Sequence, residues 1–154
     1  MKNSEAYKSA LERMRPGHIT AQGFLGTDDR NLADIIEADE EELCRLGVDP
    51  EEAAALLERL RDEGQKGLGE PVTVDGRWLV SAGDARGMLP CPWDDGLFHK
   101  NSIQVRNADG TGLLAFSDLS INLLRAHHFL QGRGSPFRLE PRALAALLKE
   151  AGNR

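Results

Sequence analysis

Cys91 stands between two prolines in Leu89-Pro90-Cys91-Pro92-Trp93. The prolines hold the segment extended and remove two backbone donors. A cysteine so placed can act as a nucleophile if a base lies near and its thiol pKa is depressed. It can also ligate a metal. Cys91, His99 and one of His127 or His128, here taken as His128, make a ligand set suited to zinc. No C-x-x-C or H-x-x-x-H spacing accompanies it. The plainer role is a small apolar side chain packed on Trp93. His127 and His128 are adjacent on an expected helix, so they point about 100° apart and at most one faces the core. Histidines near a helix C-terminus also interact well with its dipole.

A second group is basic. Arg125, His127, His128, Arg133, Arg138 and Arg142 crowd the 125–142 stretch, where Glu140 is the only acid. The loop Gly132-Arg133-Gly134-Ser135 adds backbone N–H groups. Arginine forks and backbone amides bind carboxylates and phosphates well. Arg125, His127, His128, Arg133, Ser135 and Arg138, with Trp93, are therefore the candidate ligand-binding residues. The loop lacks the spacing of a phosphate-binding P-loop. Asp84, Asp94 and Asp95 can hold a cation or act as paired carboxylates, or simply form turns. Trp78 and Trp93 can form an aromatic contact surface.

Helices are expected first along the chain. Tyr7, Leu11 and Met14 recur at helical spacing within 4–15, and Pro16-Gly17 stops that pattern. A second helix starts at Thr27 or Asp28, and a short third runs from an Asp39 cap to Leu46. Asp49-Pro50-Glu51-Glu52 is a strong start for a fourth: a capping acid, proline at the first position, and acids against the dipole. Period 2 then replaces period 3.6. Val72 and Val74, Asp75-Gly76, and Trp78 and Val80 spell a hairpin. A second hairpin spans Ile103 to Phe116. The 83–100 stretch between them, rich in Gly, Pro and Asp, reads as a long loop, a common place for function. A helix capped by Ser117 or Asp118 runs to Leu130, 137–139 reads as a short strand, and Pro141 opens the last helix. Helices, then an antiparallel sheet of two hairpins, then helices is the α+β class. Residues 1–66 form a helical part and 67–154 the sheet with the C-terminal helices, or the two make one compact domain.

The segment LCRLGVDPEEAAALLERLRDEG, Leu43 to Gly64, resembles the second and third helices of winged-helix regulators. There a Leu-Gly-apolar turn precedes the reading helix, and the Val72–Val80 hairpin would be the wing. The resemblance covers the 41–82 region and implies DNA binding. The chemistry departs from it. A reading helix offers Arg, Lys, Asn, Gln, Ser or Thr to bases and phosphates, whereas this one offers Asp49, Glu51 and Glu52 in its first turn.

Charge points the same way. The net charge of −6 is uneven: residues 28–66 hold fourteen acids and five bases, while 1–27 carry +2 and 67–154 carry +1. An acidic face repels nucleic acid and anionic membranes. The composition, 40% hydrophobic and 29% charged, is that of an ordinary globular chain. No apolar run approaches the roughly 20 residues of a membrane span, and the polar start shows no secretory signal. Cys44 and Cys91 are too few for a disulfide framework, so reduced thiols in the cytoplasm are expected.

The expected function is a small cytoplasmic binding or regulatory protein rather than an enzyme. Its 83–100 loop and basic 125–142 turn would contact an acidic protein segment or a small anion. The alternatives are a winged-helix transcriptional regulator and a cysteine- or zinc-dependent enzyme. Self-association between the acidic helices and the basic turn is open, and no cofactor is named by the sequence.

Overall fold

The structure, a computed structural model, describes residues 4–152. It is an α+β fold, with helices α1 (Ser4–Arg13), α2 (Leu32–Arg45) and α3 (Pro50–Gln65) ahead of the sheet. Strands β1 (Val72–Val74), β2 (Trp78–Pro90), β3 (Leu97–Asn107) and β4 (Gly112–Phe116) form an antiparallel meander in that order. Helices α4 (Asp118–His127) and α5 (Pro141–Gly152) follow.

Local chemistry sets most boundaries. The Asp49 side chain accepts from Glu51 N at 3.2 Å, and Pro50 opens α3. Ser117 and Ser120 close a reciprocal capping box at the start of α4. Asp75 and Gly76 both take positive φ, 57° and 69°, as a tight β1–β2 turn requires.

Four expectations are corrected. The second and third helices are one, α2, capped by Asn31. Asp39 does not begin a helix but lies inside α2, buried. The 83–100 stretch is not a loop. Gly83 to Pro90 and Leu97 to Ser102 extend the central hairpin, with Gly83 opposite Ser102 and Pro90 opposite Leu97. Backbone pairing holds these residues as strand although most of their side chains are exposed. Finally, α4 stops at His127, because His128 turns left-handed at φ 53°, and residues 137–139 form a turn and coil rather than a strand.

The hairpin is irregular where it matters. Between the pairs Asp84–Asn101 and Met88–His99, residues Ala85, Arg86 and Gly87 face Lys100 alone. Such a bulge bends the strand and commonly lies beside a site.

One apolar cluster fills the space between α3, the sheet, α4 and α5, around Trp78, Val80, Ile103, Val105 and Phe116. Trp78 is wholly buried and donates to Glu150 at 3.0 Å, so it forms no contact surface. A second cluster joins α1, α2 and α4 through Met14, Phe24, Ile36, Leu123 and Phe129, and it includes Cys91. No helix among the described residues is long and apolar enough to cross a membrane.

Candidate functional site

The two regions singled out by the sequence meet in space. They do so twice, at a cavity and at a polar cluster, and neither is a basic surface.

The arginines expected to hold an anion are engaged within the fold. Arg125 donates to Glu58 at 2.7 and 3.1 Å and to Glu51 at 3.0 Å. Arg138 is only 9% exposed. It forms a bidentate pair with Asp39 at 2.8 Å and also donates to Glu140 and the Gln131 carbonyl. Hydrogen bonding to Glu58 raises the Arg125 pKa above its ordinary value. For Arg138, burial opposes the charge, but the bonds to Asp39 and Glu140 outweigh it and the net shift is upward. His128 contacts Glu40 at 2.8 Å. The loop amides are used as well: Arg133 N donates to Asp28 at 3.1 Å, Gly132 N to the Phe24 carbonyl at 2.9 Å, and Ser135 N to the Gly132 carbonyl at 3.1 Å. The glycines serve close approach rather than anion binding. A Cβ on Gly132 would sit 2.1 Å from the Leu25 carbonyl oxygen. Only the exposed Arg133 guanidinium, among the arginines in the candidate set, has no ion pair among the described residues.

The cavity, about 620 Å³, is built from four separated segments. Ile19 to Phe24 form one wall. The bulged hairpin gives Gly83, Asp84, Ala85, Leu89 and Lys100 to Ser102. The start of α4 gives Ser117 and Leu119, and the turn beyond it gives Gln131 and Ser135 to Phe137. Most of its lining is apolar, with a few polar groups, as in small-molecule sites. Ser135, a residue of the candidate set, donates to Gln131 at 2.5 Å on this wall. Asn101 is 8% exposed. Its Oδ1 accepts from Asp118 N at 2.9 Å, but its Nδ2 has no partner, alone among buried side-chain polar atoms of the described residues. Asp84 lies directly opposite Asn101 in the hairpin register, so both side chains share one face of the sheet.

The polar cluster lies next to it. The turn 91–96 is closed by Cys91 N donating to the Gly96 carbonyl at 3.1 Å and Asp94 N to the Cys91 carbonyl at 2.8 Å. This folds Asp95 back toward Cys91 and α4. His127 Nε2 contacts Asp95 at 2.8 Å, and Asn122 Nδ2 donates to Asp95 at 3.2 Å and toward Cys91 Sγ at 3.6 Å. Trp93 stacks on the His127 ring at 4.1 Å and 10°, and presents edges to Tyr7 and Phe129. Burial and the bond to Asp95 push the Cys91 thiol up to about 12. It therefore stays protonated near neutrality and is no ready nucleophile. Burial also raises Asp95, but bonds from Cys91, His127 and Asn122 outweigh it and hold the acid below its ordinary range.

Of the expected metal set, Cys91 is here, with His127, the alternative to His128. His99 is exposed on β3 beside Met88, and His128 faces Glu40. Among the described residues, the one close group of potential ligands is Cys91, Asp95 and His127. The sequence groups Asp95 only with Asp84 and Asp94 as a cation site, and offers His127 as a metal ligand only in place of His128. The Pro-Cys-Pro setting was the one signal that could have flagged the turn. No protein family, curated protein or solved structure matches the chain, so the winged-helix resemblance rests on the order of its elements alone.

Proposed function

We propose that the chain is a binding protein for a small, largely apolar molecule held in the cavity between the bulged hairpin and the 131–137 turn. The observation that carries this reading is the partnerless, buried Nδ2 of Asn101, a residue that lines a cavity of about 620 Å³. Leaving a buried donor unmade costs about 1–3 kcal/mol. A ligand acceptor would recover that cost. Asp84 opposite it suits a donor, so the ligand's polar end carries both, as a primary amide does.

The reading keeps the binding role expected from the sequence and moves it off the arginines. An acidic peptide or free anion gains less support, since Arg125 and Arg138 already meet carboxylates. The outward side of α3 carries Glu51 and Glu52, which gives DNA recognition no support either.

Saturation-transfer NMR with benzamide as the probe tests the reading. Transfer is expected to the wild type and not to the Asn101→Leu, Asp84→Leu double variant. Equal transfer to both, or none to the wild type across a series of small aromatic amides, would overturn it.

A further inference from the structure

The Cys91 cluster has a different chemistry from the cavity and does not depend on it. Three ligand types converge from two elements: a thiol and a carboxylate from the 91–96 turn, and an imidazole from the end of α4. Cys91 Sγ, an Asp95 oxygen and a His127 nitrogen lie within 4.8 Å of one another. Tetrahedral zinc, with bonds of about 2.0–2.3 Å, would hold such atoms roughly 3.3–3.8 Å apart. Small side-chain shifts bridge that difference, and the 2.8 Å Asp95–His127 contact would open slightly.

A salt bridge beside a buried cysteine is the plain alternative, but it leaves two features unexplained. The thiol sits in an apolar cluster yet is turned toward a carboxylate and an amide. The supporting contacts are also those of a coordination site. Asn122 bonds both the acid and the sulfur, and Trp93 fixes the plane of the imidazole. Partners that orient ligands in this way are as much part of a metal site as the ligands.

We propose that Cys91, Asp95 and His127 bind one zinc ion and leave its fourth coordination position open. Thiolate, imidazole and carboxylate together favour zinc over magnesium or calcium. The ion reaches the site from the side of Asp95 and His127, which are 36% and 18% exposed, while Cys91 closes the interior side. On binding, the S–H bond breaks, an S–Zn bond forms and the proton leaves to solvent. The proton that His127 Nε2 holds against Asp95 is exchanged through solvent to Nδ1 as the metal enters, which frees Nε2 to ligate it.

The test is a titration of metal-free protein with Co²⁺, followed by displacement with Zn²⁺, in a Cys44→Ser background that removes the exposed second thiol. Expected are the visible bands of tetrahedral Co²⁺ and a thiolate-to-metal charge-transfer band at one equivalent. Cys91→Ser should abolish the charge-transfer band. His127→Gln, at a less buried position, should weaken binding even if the Cys91 variant folds poorly. Asn122→Ala should weaken it roughly 10–100-fold. An octahedral spectrum without charge transfer, or zinc affinity unchanged in His127→Gln, would overturn the assignment.

Discussion

Arg138 on the C-terminal turn grips Asp39 in the middle of α2 through two hydrogen bonds of 2.8 Å, with both side chains less than one-tenth exposed. The pair ties α2 to the turn that walls the cavity. Removing one member of a buried pair leaves the other charge unpaired, at a cost of about 3–5 kcal/mol. Arg138→Met should therefore destabilise the fold by about that amount in urea unfolding. Arg138→Met with Asp39→Leu should recover much of the loss. A stable single variant would show that Arg138 is free for a ligand after all.

Asn101→Leu separates function from stability. The substitution loses the bond to Asp118 N, worth about 0.5–1.5 kcal/mol, and removes an unpaired buried donor that costs about 1–3 kcal/mol. The two effects oppose each other, so the net change should lie between a loss of about 0.5 kcal/mol and a gain of about 2.5 kcal/mol. Loss of more than about 3 kcal/mol in chemical denaturation would mean that Nδ2 is satisfied within the folded protein.

Asp28 makes the fold sensitive to acid. Its side chain is 2% exposed, and the Arg30 guanidinium and Arg133 N hold its carboxyl well below the usual range, against the opposing effect of burial. The folded state thus favours the ionised acid. That contribution is complete above the unfolded value of about 3.9 and is lost as pH falls toward the depressed folded value. Asp28→Asn should be less stable than the wild type at pH 7, and the gap should narrow below about pH 4. A gap independent of pH would place the effect elsewhere.

Gly132→Ala should be severely destabilising. The added Cβ would meet Leu25 backbone atoms at 2.1, 2.6 and 2.7 Å, and backbone cannot rotate away. The 24–28 and 131–135 segments, now clasped by Gly132 N to Phe24 and Thr27 N to Arg133, would have to part. A melting temperature within a degree or two of the wild type would contradict the clasp.

The legible parts of this fold are those set by neighbours in sequence. Asp49-Pro50 and Asp75-Gly76 announce a helix start and a turn because capping and φ are local matters. The extension of β2 and β3 was hidden because Gly83 to Lys100 has loop-like composition. Only pairing with a partner strand makes it regular. Asp39 reads as a cap until Arg138 arrives from the far end of the chain. The site was illegible for the same reason. The cavity needs four separated segments, and the cluster needs a turn residue, Asp95, set against His127 on a later helix. The sequence singles out both stretches that supply side chains to these places, 83–100 and 125–142, but not which side chains turn inward.

Chemical-shift mapping of labelled protein titrated with benzamide tests the binding role most directly. Saturable shifts confined to cavity residues such as Phe24, Asn101, Ser117, Leu119 and Gln131 are predicted. Shifts centred on Arg125, Arg133 and Arg142, or none in the cavity at saturating probe, would contradict it.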